Sequence, residues 1–126
     1  MPIARIDLAR GKSAAHLKAI SDAVYDAMIG IGVPHNDRFQ VITEHDPAHL
    51  VFDRQYLGIE RSPDFVLIQI TLNEGRTVDL KRALYKGIAD GIHAKTGLRR
   101  EDVFINLVEV KKENWSFGNG EAQYAT

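Results

Sequence analysis

Apolar and polar positions alternate at the start of the chain, in Pro2-Ile3-Ala4-Arg5-Ile6-Asp7-Leu8, and again around Ile68, Ile70 and Leu72. Period-two alternation is the mark of a strand with one buried face. Each run is followed by a change of period. Leu17, Ile20, Val24 and Met28 recur every three to four residues, as do Leu80, Leu84, Ile88 and Ile92, so each predicts an amphipathic helix. Gly11-Lys12-Ser13 introduces the first helix, and Gly75-Arg76-Thr77 introduces the second 64 positions later. Ser13 and Thr77 stand at the expected N-caps, where a hydroxyl accepts from the first unpaired amides. Glycines close both helices, at Gly30 and Gly32 and at Gly97. Further strands are predicted at Phe39–Glu44 and Val103–Val110, entered through Asp37-Arg38-Phe39 and Asp102-Val103-Phe104.

The chain therefore reads as one β-α-β unit written twice, an α+β domain spanning residues 1–126. The half-repeats run over about 1–45 and 65–126, and a linker covers about 46–64. Right-handed crossovers put both helices on one face of a four-stranded mixed sheet. Phe65–Ile70 and Phe104–Val108 are nearly continuous apolar runs, which predicts strands buried on both sides. Two helices cover one face only, so the pattern calls for a second copy of the chain on the other. Asp46-Pro47, Gly58 and Ser62-Pro63 punctuate the linker, within which a short strand is expected near Leu50–Phe52.

Composition narrows the chemistry more than the fold. The 126 residues carry a formal net charge of −1, which gives no electrostatic reason for a nucleic-acid or anionic-membrane partner. No stretch approaches the roughly 20 apolar residues of a membrane helix. Zero cysteines exclude disulfides, thiol catalysis and thiolate metal sites. A cytoplasmic location is the expectation. Of Glu44, His45 and His49, the Glu44-His45 pair beside Asp46 lacks a third metal ligand at convincing spacing, and there is no phosphate-binding glycine motif or Ser-His-Asp pattern. No cofactor is expected.

Pro2 is the sharpest chemical candidate. A small penultimate residue favours removal of Met1, which would leave a free prolyl nitrogen as a secondary amine. Free α-amino groups titrate at about 7.7–8, and a neighbouring cation lowers that value. Such a nitrogen can act as a general base or nucleophile near neutral pH. Arg76, directly before the cap of the second helix, is the candidate cation and carboxylate anchor, because helix N-termini favour anions. It would act on Pro2 if the first strands of the two halves lie side by side. Lys12 holds the equivalent position in the first half. Asp37 could position a water or return a proton, although an aspartate before a strand also caps turns. Trp115, the only tryptophan, stands near Phe117 in a glycine-rich tail that either packs on a neighbouring subunit or lines a pocket.

The proline-first duplication resembles the tautomerase superfamily. Phe39–His45, Leu57-Gly58-Ile59 and Trp115–Gln123 are similar to segments of its malonate semialdehyde decarboxylase-like branch, and the likeness runs end to end. The resemblance implies a homotrimer whose sheets form a central barrel, with Pro2 at the base of a pocket near a subunit boundary. It implies a small carboxylic-acid substrate, either a 2-oxo acid or its enol, with no nucleic acid or membrane involved. Pro2 matches the catalytic proline and Arg76 the second of an arginine pair. Asp37 matches an aspartate that assists hydration or decarboxylation, while Trp115 and Phe117 match pocket-wall aromatics. Asn73 or Glu74 stands where the branch has its first arginine. An asparagine can bind a carboxylate but lacks the charged, bidentate guanidinium fork. That departure favours keto–enol tautomerisation over decarboxylation or hydration of a three-carbon acid. A trimer that only binds a ligand or protein partner is the non-enzymatic alternative.

Overall fold

The computed structural model describes residues 2–125. Both halves fold as β-α-β. Strand β1 (Ile3–Ala9), helix α1 (Ala14–Gly30) and strand β2 (Gln40–His45) make the first half. Strand β3 (Val66–Asn73), helix α2 (Val78–Thr96) and strand β4 (Val103–Val110) make the second. Local chemistry sets the helix starts: Ser13 Oγ accepts from His16 N at 3.1 Å, and Thr77 Oγ1 from Leu80 N at 3.2 Å. Gly11 and Gly75 share a left-handed backbone, with φ of 110° and 112°, which a side chain would strain.

The sheet order is β2-β1-β3-β4. β1 pairs with β2 in parallel, β3 with β4 in parallel, and β1 with β3 antiparallel, with Ile6 opposite Ile68. Helices α1 and α2 cover one face. They approach closely at small residues: a Cβ on Gly87 or Gly91 would lie 3.2 Å or 3.3 Å from the Cβ of Ala27 or Ala23. Ile20, Val24 and Met28 of α1 and Leu84, Ile88 and Ile92 of α2 pack on Ala4, Ile6, Val66, Ile68 and Ile70. Each large side chain buried this way contributes about 1.5–3 kcal/mol of transfer free energy. Leu80, assigned to the buried stripe by period, stays 39% exposed.

Within a single protomer β3 alternates buried and half-buried positions, and Phe104 and Val108 of β4 remain exposed. The helices reach one face only, and the other is open in a single protomer. It mixes apolar groups with polar pairs, such as Gln69 Nε2 donating to Asn106 Oδ1 at 2.7 Å and His45 Nε2 against Asp7 Oδ1 at 2.6 Å. One sequence expectation is corrected: the strand expected in the linker near Leu50–Phe52 does not form. The linker instead makes two single 3₁₀ turns, Pro47–His49 and Tyr56–Gly58. Asp46 Oδ1 accepts from Ala48 N at 3.0 Å and commits the chain to the first turn. Arg61 then donates to the carbonyls of Asp53, Tyr56 and Ile59, so backbone acceptors that a ladder would use are satisfied by a side chain. Among the described residues no helix is long and apolar enough to cross a membrane.

Candidate active site

Strand directions decide what meets Pro2. Because β1 and β3 are antiparallel, the start of β1 lies beside the end of β3, with Ile3 opposite Thr71. Asn73 closes β3 there, and Arg76 follows before the α2 cap. Because β1 and β2 are parallel, Ala4 N donates to Phe39 O at 3.0 Å and Asp37-Arg38-Phe39 runs alongside Pro2. β4 ends at the same place, where Glu74 N donates to Val110 O at 2.9 Å. The tail then turns back, and Trp115 Nε1 donates to Asn73 Oδ1 at 2.8 Å.

These segments enclose a cavity of about 210 Å³ lined by Pro2, Ile3, Phe39, Trp115, Ser116 and Phe117. A tight crevice on the other side of Pro2 is formed with Asp37, Tyr25, Met28 and Arg38. Trp115 and Phe117 stack with ring centroids 5.6 Å apart, and Tyr124 meets Phe117 edge-on at 4.7 Å. Gln123 fastens the tail loop: its Oε1 accepts from Phe117 N at 2.9 Å, and its Nε2 donates to Gly118 O at 2.8 Å. The tail thus walls the pocket of its own protomer. A larger groove of about 370 Å³ opens at the other end of β1, between Ala9 and the linker. Arg54 is the one ionisable side chain lining it, so it offers no comparable constellation.

Arg76 is half-buried, and its guanidinium donates to Asn73 O at 3.2 Å. It stands at the Pro2 end of the sheet but is not among the cavity-lining residues. Nearby, Lys81 Nζ donates to Glu109 Oε1 at 2.7 Å. That bond chiefly holds the Glu109 carboxyl below its ordinary range, with a smaller contribution from the Arg76 charge. Lys12 is separated from these groups: it lies past the opposite end of β1, paired with Asp64 at 2.5 Å.

Arg38 braces the Asp37 segment from behind. It donates to Asp22 Oδ1 at 2.7 Å and Ser21 Oγ at 2.8 Å, and lies over the Tyr25 ring at 4.5 Å. Hydrogen bonds from Lys18 and then Arg38 lower the Asp22 pKa from 3.8 to about 2. A carboxyl more acidic folded than unfolded adds stability above its unfolded pKa and loses it as pH falls through the folded value. Wild type is therefore expected to exceed Asp22→Asn in urea midpoint above about pH 4. The gap should close toward pH 2, as urea titrations at stepped pH would show. Asp90, also at about 2 and held by Lys86 and Arg100, remains as a second acid-sensitive contact in both proteins.

Residues 37–118 match a family model described as a tautomerase enzyme, and residues 2–58 match a second model with the same description. The chain belongs to the tautomerase family. It is 43% identical over 124 residues to the probable tautomerase YusQ of Bacillus subtilis (strain 168), covering 98% of each chain. It is also similar to the crystal structure of FG41 malonate semialdehyde decarboxylase inhibited by 3-bromopropiolate, at 38% identity and a TM-score of 0.91. That match covers 97% of this chain and 93% of the other. A fused 4-OT solved as a symmetric trimer matches at 26% identity and a TM-score of 0.79, covering 97% of each. In this tautomerase, Phe39, Ser116, Gln123 and Tyr124 join the site region without having been assigned a site role from sequence. Phe39, Ser116 and Gln123 lie in segments that carry the family resemblance, and that was the signal available for them.

Proposed function

We propose that the protein is a cytoplasmic, cofactor-independent keto–enol tautomerase of small 2-oxo or enol carboxylic acids. Pro2, freed by removal of Met1, is the general base. The observation that carries this reading is the meeting of Pro2 with Asp37 and the Trp115–Phe117 wall at one sheet end, with Arg76 at that same end. Met1 itself lies outside the described residues. In the forward direction the prolyl nitrogen takes the enol hydroxyl proton, the carbonyl forms at C2, and the proton is delivered to C3. Arg76 holds the carboxylate by charge-assisted hydrogen bonds. The aromatic wall keeps water from the reacting carbons, which strengthens electrostatic contacts inside. Asp37 orients a water or relays a proton beside Pro2.

The protein is proposed to work as a homotrimer, for which the open sheet face and the trimeric 4-OT relative are the support. Three such faces turned inward would cover Phe104 and Val108 and place each Pro2 pocket near a subunit boundary.

The test has two arms. Intact-mass measurement should find the chain without Met1, and the enzyme should ketonise phenylenolpyruvate. Arg76→Ala should raise KM about 10- to 100-fold with a much smaller change in kcat, because it removes charge-assisted binding present in ground and transition states alike. A retained Met1, or an unchanged KM, counts against the assignment. The likeness to a malonate semialdehyde decarboxylase and the position of Asp37 favour one second reading, decarboxylation or hydration of a three-carbon acid. Rapid release of carbon dioxide from malonate semialdehyde would establish it as the main activity. Absence of turnover on all these acids, in a trimer that still binds 2-oxo acids, would leave a binding protein.

A further inference from the structure

Asn73 closes β3 with its two acceptors committed to two members of the site. Its backbone carbonyl accepts from Arg76, and its side-chain Oδ1 accepts from Trp115 Nε1 at 2.8 Å. An indole nitrogen can only donate, so this contact determines which end of the amide faces Trp115: the carbonyl. The spacing is that of a well-formed N–H···O bond. Trp115 arrives on a tail, after a 3₁₀ turn at Lys112–Asn114, and not on a strand or long helix. Its other fixed contact is the stack on Phe117, where two offset rings can still slide and rotate over one another. The bond to Asn73 removes that freedom by tying the indole edge to the last residue of a central strand.

We propose that Asn73 is a positioning residue. It sets the angle of the Trp115 ring over the Pro2 cavity, and so the width available to the substituent on C3 of a 2-oxo acid. This differs from the direct carboxylate contact that its place in the sequence implies. The indole occupies the amide oxygen and leaves Nδ2, the one Asn73 side-chain group able to donate to a carboxylate, so the test has to separate ring positioning from a direct substrate contact. The inference rests on the Pro2 cavity being the active site. Because Asn73 also accepts from Arg76 through its backbone, side-chain substitution leaves that second contact available.

Trp115 is the only tryptophan, so fluorescence excited at the red edge, beyond tyrosine absorption, reports on this ring alone. Asn73→Leu removes the acceptor at similar size. Its emission is expected to shift to the red, with greater quenching by acrylamide. KM for phenylenolpyruvate should rise about three- to tenfold, the worth of one hydrogen bond, with kcat changed far less. Asn73→Asp keeps an acceptor and should return emission and quenching toward wild type. In a Trp115→Phe background, Asn73→Leu should add little to KM, because its effect runs through the missing indole. Unchanged emission and quenching in Asn73→Leu would overturn the proposal. A full additional KM penalty in the Trp115→Phe background would overturn it as well, by assigning Asn73 to the substrate. Pro2→Ala separates the two readings. It should lower turnover by about 10²- to 10⁴-fold and leave Trp115 emission in place, whereas full turnover would end the active-site reading, with the fluorescence series still judging the Asn73–Trp115 contact.

Discussion

Pro2→Ala is expected to lower kcat/KM for enol ketonisation by about 10²- to 10⁴-fold, the range supplied by a positioned general base. Alanine makes the comparison clean. It too is a small penultimate residue, so Met1 should leave both proteins, and each then begins with an amine. What differs is geometry. The pyrrolidine ring ties the nitrogen to side-chain carbons that are buried at the cavity floor, and so fixes it relative to β1. A primary amine on alanine swings freely and is better solvated, and misplacing a catalytic atom by about 1 Å can cost 10²-fold. Initial rates on phenylenolpyruvate, with intact mass and circular dichroism on the same samples, make the measurement. Wild-type rates in a correctly processed variant would remove Pro2 from the mechanism.

What could be read from the sequence follows from the range of the forces involved. Helix starts are local, so Ser13 and Thr77 identified them through hydroxyls that bond amides three residues on. The repeat carried the β-α-β order for the same reason. It also made Lys12 and Arg76 look equivalent, and here the symmetry of the chain misled. Each follows the first strand of its half, but β1 and β3 run antiparallel, so equivalent positions land at opposite ends of the sheet. The operation that relates the two residues is the one that separates them. Leu50–Phe52 has strand-like composition but pairs with neither edge strand, β2 nor β4, and Phe52 stacks on Phe65 at 4.2 Å instead. The bond from Trp115 to Asn73 spans 42 positions and depends on β4 ending beside β3, which no local pattern encodes.

Asp37 and Asp102, matched by the repeat, are expected to fail in opposite ways when truncated. Asp102 is 1% exposed. Its Oδ1 accepts from Ser62 N and its Oδ2 from Ser62 Oγ, each at 2.6 Å, and Arg99 Nε stands 3.5 Å away. Ser62 in turn holds the entry to β3, since its carbonyl accepts from Phe65 N and its hydroxyl from Asp64 N. Asp102→Ala strips two short charge-assisted bonds and leaves the half-buried amide and hydroxyl of Ser62 without their acceptor. The expected cost is about 3 kcal/mol, from bonds to charged groups worth about 1.5–3 kcal/mol each. For a chain of this size that lowers Tm by about 10 °C at fixed protein concentration. Because the damage joins linker to strand, away from Pro2, kcat of the folded fraction should stay near wild type. Asp37→Ala should do the reverse, with a near-native melting curve and impaired turnover, because Asp37 borders the crevice on Pro2. Melting and kinetics on the same two samples decide the matter. An Asp102→Ala protein that melts like wild type would show that Ser62 finds other acceptors, and a fully active Asp37→Ala protein would confine that carboxylate to turn structure.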